Sequence, residues 1–468
     1  MMRYTFTILD EHRSALQNIL FRDQNESAAL ILCGRAKIID PWTGVTEERF
    51  LARDIIEIPE SAFTKRTPVG LTWSTTPFYN ALKSAEARDF AVAAIHSHPT
   101  GLLDFSPDDD VADRELFQIA FNRLVSDRPH LALIMDSSGR IKGRAYESNL
   151  EPSELDLIRV IGDRWRYFYE NGAQNTRPEF DRQVRAFGRQ STHDLGQLRV
   201  GVVGCGGTGS AVASLLARIG IRRLALFDFD RVDETNLNRM HYSKRSDANL
   251  GRKKVDVLGE ALAGIGLSIE LLRISSYIES PSAREALKSC DVVFGCTDDH
   301  LGRNTLNRLA HFYLTPVIDL GLLIDPRPDH GYDAFDGRAT VVQPGYPCQI
   351  CRGLINPDIM LAEALRRQDP DVYEQRQRAG YVIGAPDPSP VVVTFTTEVA
   401  AMGVNELFQR MNAFRGEHGS ASERIRRFHQ VKDPDLLPAG KRRPGCKLCD
   451  RRMYDGRGDM TPFLDAAT

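Results

Sequence analysis

The sequence predicts an α/β protein in two parts: a mixed α/β domain over residues 1–150, a linker helix over 151–176, and a doubly wound α/β domain over 177–468. Three observations carry this expectation. A length of 468 residues exceeds what one hydrophobic core usually holds. The first 150 residues mix short β-rich runs with helical stretches. From Leu198 onward, strands and helices alternate at the spacing of a parallel sheet.

In the first part, Ala28–Cys33, Phe90–Ile95 and Leu131–Met135 read as strands and Asp109–Asn122 as a helix. Over 152–170, Leu155, Ile158, Ile161, Trp165 and Phe168 recur every three or four residues, the spacing of an amphipathic helix ended by Asn171-Gly172. The polar run 171–177 marks the boundary. Beyond it, Val200–Val203, Arg223–Phe229, Asp291–Gly295 and Pro316–Leu320 read as strands and Ala211–Ile219 as a helix.

Composition is 42% hydrophobic and 26% charged, with net charge −3, which gives no general reason to expect nucleic-acid binding. No apolar run reaches the ~18 residues of a membrane span, and the N-terminus lacks a secretory signal, so a cytoplasmic protein is expected. Four of the eight cysteines form two C-x-x-C pairs. The others, Cys33, Cys205, Cys290 and Cys296, read as small buried residues.

His96-Ser97-His98-Pro99-Thr100-Gly101 precedes Ser106-Pro107-Asp108-Asp109. Histidines two apart at a strand edge point the same way, and an Asp on the first turn of a following helix can close a three-ligand site. Two His and one carboxylate with an open fourth position is the composition of a catalytic zinc site, which turns bound water into a nucleophile near neutral pH. Asp108 and Asp110 suit the helix N-terminus electrostatically. The pattern resembles the metalloprotease motif of the JAMM (MPN/JAB) deubiquitinase family. That resemblance implies His96, His98 and Asp109 as zinc ligands, Glu26 (ahead of Ala28–Gly34) as general base, and Ser106 as oxyanion stabiliser.

Val203-Gly204-Cys205-Gly206-Gly207-Thr208-Gly209 follows a strand and opens a helix, the context of a phosphate-binding loop. Asp228 and Asp230 end the next strand, placed to hold a ribose. To this point NAD and ATP are equally served. Asn236, Arg239 and Lys254, followed by Asp298 after a later strand, favour a triphosphate with magnesium. The set resembles the ThiF/MoeB/ubiquitin-activating adenylation family, whose Rossmann-like fold carries a structural zinc. The resemblance implies Gly204, Gly206, Gly207 and Gly209 as the phosphate loop, and Asp230 with Asp228 on the ribose. It implies Asn236, Arg239 and Lys254 on the phosphates, Asp298 on Mg²⁺, and Arg182 reaching ATP across a homodimer interface. Cys348, Cys351, Cys446 and Cys449 have the spacing of a closed structural zinc site.

No cysteine lies in the interval Arg352–Gly445, where many members of that family carry a thioester cysteine; the matching position is Arg376. Together the resemblances imply a bifunctional enzyme. One domain trims or removes a ubiquitin-like protein, and the other adenylates its Gly-terminated tail ahead of a conjugating enzyme, as in bacterial defence or modification systems. Activation of a sulfur-carrier protein with a sulfur donor, and non-catalytic tail binding, are the alternatives.

Overall fold

A computed structural model describes residues 2–124, 128–169, 177–326, 332–379 and 390–460. The first sheet has nine strands, in the order β11-β10-β1-β3-β2-β6-β7-β8-β9. Its first half comprises β1 (Met2–Leu9), α1 (Asp10–Leu20), β2 (Ala28–Ile39), β3 (Thr46–Glu57), the separate hairpin β4 (Phe63–Thr67) and β5 (Gly70–Trp73), α2 (Thr76–Glu86) and β6 (Ala91–His98). Then follow α3 (Pro107–Arg123), β7 (His130–Asp136), β8 (Ile141–Tyr146), β9 (Pro152–Glu154), β10 (Leu157–Ile161) and β11 (Trp165–Tyr169).

The expected linker helix over 151–176 is therefore corrected: its described residues form three strands. Leu157-Ile158-Arg159-Val160-Ile161 is buried on both faces and pairs in parallel with β1. A strand covered on both sides needs no alternation, so its continuous apolar run fits a helical period equally well. Residues 170–176, with the Asn171-Gly172 signal, lie outside the described residues.

The second part comprises α4 (Asp181–Phe187), α5 (Arg189–Gln197), β12 (Arg199–Val203), α6 (Gly207–Arg218), β13 (Arg223–Phe227), α7 (Arg245–Asn249), α8 (Lys254–Ala263), β14 (Glu270–Ile274), α9 (Pro281–Ser289) and β15 (Val292–Gly295). It continues with α10 (His300–Phe312), β16 (Val317–Pro326), β17 (Tyr332–Val342), α11 (Pro357–Gln368), α12 (Pro370–Arg378), α13 (Val393–Asn412), β18 (Glu423–Arg427) and β19 (Asp435–Leu436). Strands β14-β13-β12-β15-β16 run parallel in that order and β17-β18-β19 extend the sheet antiparallel. Strand order reverses between β12 and β15, which opens a crevice at their carboxyl ends. Helix α13 packs against α6, β16 and β17, burying Val399, Ala400 and Leu407. No helix among the described residues is long and apolar enough to cross a membrane.

The two sheets meet at a buried charge network. Arg159 on β10 donates to Asp291, just ahead of β15, at 2.8 Å, and lies 3.4 Å from Glu47 on β3. Arg199, opening β12, reaches Glu47 at 3.2 Å and Asp40 at 2.7 Å, while its backbone N–H donates to Asp291 at 3.0 Å. Burial alone would raise the Glu47 carboxyl, but Arg49, Arg159, Arg3 and Arg199 hold it well below the usual range.

A second tie is the segment after the last cysteine. Gly456 and Gly458 donate to the carbonyls of His311 and Phe312 at the end of α10, and Asp459 donates to Arg35 on β2. The Asp459 carboxylate accepts from Lys37 N–H and from Tyr313. Gly458 has φ +57° and sits so near β2 that a Cβ would lie 2.0 Å from the Arg35 carbonyl, so only glycine fits.

Two outcomes follow from this packing. Asp291→Ala removes the nearest carboxylate of the buried Arg159 guanidinium and the acceptor of Arg199 N–H, and should cost about 3–5 kcal/mol; an unchanged urea midpoint would show the network to be dispensable. His130 accepts from Val92 N–H at 3.1 Å between Phe117 and Phe121. Burial, helped by Arg35, pushes its pKa down to about 4. Between pH 6.5 and 4 the unfolded imidazole binds more proton than the folded one, so stability falls on acidification through that window. At about 1.4 kcal/mol per pH unit this amounts to about 3 kcal/mol, and His130→Asn should flatten that part of the profile.

Candidate functional site

The first site lies at the carboxyl end of β6. This strand is interior, between β2 and β7, so the histidines occupy a strand end rather than the expected edge. His96 Nε2 and His98 Nε2 stand 3.0 Å apart, and Asp109 oxygens lie 3.2 and 3.7 Å from them. These separations suit three ligands about 2.0–2.2 Å from one zinc ion. His98 Nδ1 faces the Leu102 carbonyl at 2.8 Å; donating there fixes the tautomer that leaves Nε2 free to ligate.

Asp109 is placed by a capping box at the start of α3. Ser106 N–H and Oγ–H both donate to its Oδ2, at 2.7 and 2.8 Å, and Asp109 N–H donates back to Ser106 Oγ. The structure thus brings Ser106 to the ligand it positions, and the hydroxyl expected to meet an oxyanion is engaged there. Glu26 is 8% exposed, and the β2–β6 register, with Ala28 opposite His96, carries it to the level of His98. Its backbone is clasped by the β4–β5 hairpin, through Thr67 O and the Arg66 guanidinium. Burial raises the Glu26 carboxyl above its ordinary pKa. Of the neighbouring acids, Asp110 pairs with Arg144.

The second site lies at the crevice between β12 and β15. Gly204 takes φ +88°, and a Cβ there would meet Cys296 O at 2.6 Å; a Cβ on Gly209 would lie 1.7 Å from Gly204 O. A Cβ on Gly206 would meet nothing within 4 Å, so that face of the loop is open. Gly207 lies against Arg239, whose stem passes 3.4 Å from the Cβ position. Lys254, first residue of α8, holds Asp230 at 2.7 Å. Burial works against the Lys254 charge, but Asp228 and Asp230 outweigh it and raise its pKa.

Other expected residues divide. Asp228 is buried and its carboxylate accepts from Cys205 N–H at 2.7 Å and Asp230 N–H at 2.8 Å. It ties the glycine loop to the next strand's end, and each oxygen keeps a lone pair with which the expected ribose contact could be made. Asn236 is buried and closes a capping box with Asp233. Asp298 is exposed after β15, while neighbouring Asp299 caps α10 and pairs with Arg367 at 2.5 Å. Arg182 is exposed on α4, which packs on α5. Arg376 is exposed on α12.

Cys348, Cys351, Cys446 and Cys449 converge, with sulfurs 3.8 Å (Cys348–Cys446) and 3.4 Å (Cys351–Cys449) apart. A tetrahedron of thiolates about 2.3 Å from zinc has edges near this length, so the donor set fits a structural zinc ion. Cys33, Cys205 and Cys290 are fully buried, and burial pushes each thiol's pKa up, as the sequence leads one to expect of packing residues.

The profile of the ThiF family matches residues 180–448, more than half of the chain. The chain belongs to the ThiF family. The molybdopterin-synthase adenylyltransferases of Escherichia coli and Salmonella typhimurium are 31% and 33% identical to it, over 37% and 30% of this chain and 66% and 56% of their own lengths. The SAMP-activating enzyme E1 of Haloferax volcanii is 27% identical over 33% of this chain and 52% of that protein. The chain thus spans between about half and two thirds of the length of these relatives. Among solved structures, E. coli MccB with ATP aligns at a TM-score of 0.44 and 17% identity, over 58% of this chain and 75% of that one, too low to carry an argument.

The two candidate metal sites set an expected stoichiometry. The purified chain should carry two zinc ions, His98→Ala one, and Cys449→Ser one, by elemental analysis. Two ions retained in either variant would dismiss that site. Chelation should also lower the melting temperature, because the Cys446–Cys449 turn leads straight into the segment that ties α10 to β2.

Proposed function

We propose that this member of the ThiF family adenylates the C-terminal carboxylate of a Gly-terminated ubiquitin-like or sulfur-carrier protein. One observation carries the reading: an open glycine loop with Lys254, Arg239, Asp230 and Asp298 gathered at the switch point of the sheet. The relatives' names, adenylyltransferase and SAMP-activating enzyme, agree with it. A tail carboxylate oxygen attacks the α-phosphorus of ATP, the bond to the β-phosphate oxygen breaks, and pyrophosphate leaves with the charge. Lys254 and Arg239 are the cations able to stabilise that charge, and Asp298 is free to hold Mg²⁺. Asp230, paired with Lys254, is read as the ribose ligand. Exposed Arg182 suits a contribution from a second copy in a homodimer.

The N-terminal domain is read as a JAMM-type zinc isopeptidase acting after the same kind of tail. His96, His98 and Asp109 would hold zinc, which supplies an activated water when bound. Glu26, raised in pKa by burial, is suited to take and return a proton beside it. Ser106 keeps Asp109 in place. The thiol-free interval between the knuckles favours passing the adenylate to a partner's thiol or to a sulfur donor over a thioester on that interval. A +16 Da gain on the carrier would mark sulfur transfer, and a mass increase on a target protein would mark conjugation.

Asp298→Ala should abolish ATP–pyrophosphate exchange and spare tail cleavage, and His98→Ala should do the reverse. Loss of both activities in both variants would defeat the two-site reading, and no exchange with any carrier would leave only tail binding. Serine in place of Cys33, Cys205 or Cys290 should leave exchange intact in folded protein.

A further inference from the structure

The geometry points to a recognition site for the tail's terminal carboxylate made by Arg303 and Arg338 around Asp319, on the β16 side of the adenylation crevice. The inference rests on the adenylation reading and names the part of the site that would select a free carboxylate. The cations so far assigned, Arg239 and Lys254, stand on the β12–β13 side, where the glycine loop places the triphosphate. The other substrate is also an anion, and the opposite side of the crevice must receive it.

Three features of the cluster support that use. First, its place: Asp319 on β16 pairs with Gly295, the last residue of β15, so it lies level with the carboxyl end of the parallel strands. Arg303 reaches it from the first turn of α10, directly after Asp298, and Arg338 reaches it from β17. Ligands of open α/β sheets bind outside this end.

Second, its charge: the connected ion pairs hold three guanidiniums, of Arg303, Arg338 and Arg352, against two carboxylates, Asp319 and Glu423. Arg338 donates to Asp319 at 2.8 Å and to Thr340, Thr340 donates to Glu423, and Arg352 pairs with Glu423 at 2.6 Å. One positive charge is left over at the Arg303–Arg338 end, where both side chains are 14% exposed and Asp319 is fully buried. Nearby Asp299 does not cancel it, because Arg367 already holds that carboxylate.

Third, its bonding is incomplete. Arg303 Nε and Asp319 Oδ1 are buried and face each other at 3.5 Å, beyond a hydrogen bond, and each lacks a hydrogen-bond partner. Two glycines make room for the cluster itself: a Cβ on Gly321 would lie 2.8 Å from the Arg338 guanidinium, and one on Gly295 3.2 Å from Asp319 Oδ1. Asp319 orients two planar forks, and a bidentate carboxylate is the ligand they match.

The test uses the full chain, a fluorescent ATP analogue with Mg²⁺, and the peptide acetyl-Ala-Gly-Gly as carboxylate and as C-terminal amide, with binding read by saturation-transfer NMR. Wild type should prefer the carboxylate by about tenfold, the scale of one charge-assisted pair. Arg303→Gln should remove the preference while nucleotide affinity changes less than about twofold, and Arg303→Lys should restore part of it. Equal binding of carboxylate and amide by wild type, or an undiminished preference in Arg303→Gln, overturns the proposal. Failure of wild type to bind the nucleotide would instead overturn the adenylation reading beneath it. Arg303 is chosen because it stands on the first turn of a helix and lies 3.5 Å from Asp319, whereas Arg338, on interior strand β17, is bonded to Asp319 and Thr340.

Discussion

The crevice of the second sheet depends on one buried ionic junction, in which Arg159 and Arg199 share Glu47 and Asp291 between two sheets. Charges this deep are tolerated only because each meets more than one partner, and the junction has no apolar fallback if one is removed. Strand β12, which feeds the glycine loop, starts at Arg199; strand β15, which delivers Asp298, starts after Asp291. The same contacts that join the halves therefore anchor the amino ends of the two strands whose carboxyl ends form the crevice.

The two sites use different means to set their geometry. At the histidine site the backbone does the placing: the pleat of β6 aligns His96 with His98, and a capping box turns Asp109 toward them. At the glycine loop, a side chain holds backbone: Asp228 grips two amides so that the loop and the β13 end keep a fixed relation. Residues that would touch substrate are kept rigid by residues that do not. The division leaves Asp298 exposed, while Asp230 is paired with Lys254.

What was legible in the sequence was whatever is encoded at short range. His96, His98 and Asp109 converge because strand period and helix cap are local facts, and the glycine loop follows from one strand–turn–helix unit. The cysteine pairs carry their own chemistry across about 95 residues. Partners distant in sequence were not legible. The pairing of Arg159 with Asp291 spans 132 positions, and nothing in the local spacing that suggested a helix over 152–170 points to it. The hold of Asp228 on two backbone amides was equally out of reach, because backbone acceptance leaves no trace in residue type. Arg303 was missed, although its place five residues after Asp298, on the helix opening at the crevice, was a usable signal.

The segment around Gly456 and Asp459 reaches back to Arg35 and Lys37, more than 400 positions earlier. Such separation sets the order of assembly. In residues 34–39, the part of β2 beyond its pairing with β6, one side stays uncovered while the second domain is synthesised, and its last backbone partners follow α10 and the cysteine turns in the chain. Folding should therefore end in a slow docking step, with high contact order and dependence on zinc supply. During that interval β2 would be the part of the chain most in need of protection from aggregation.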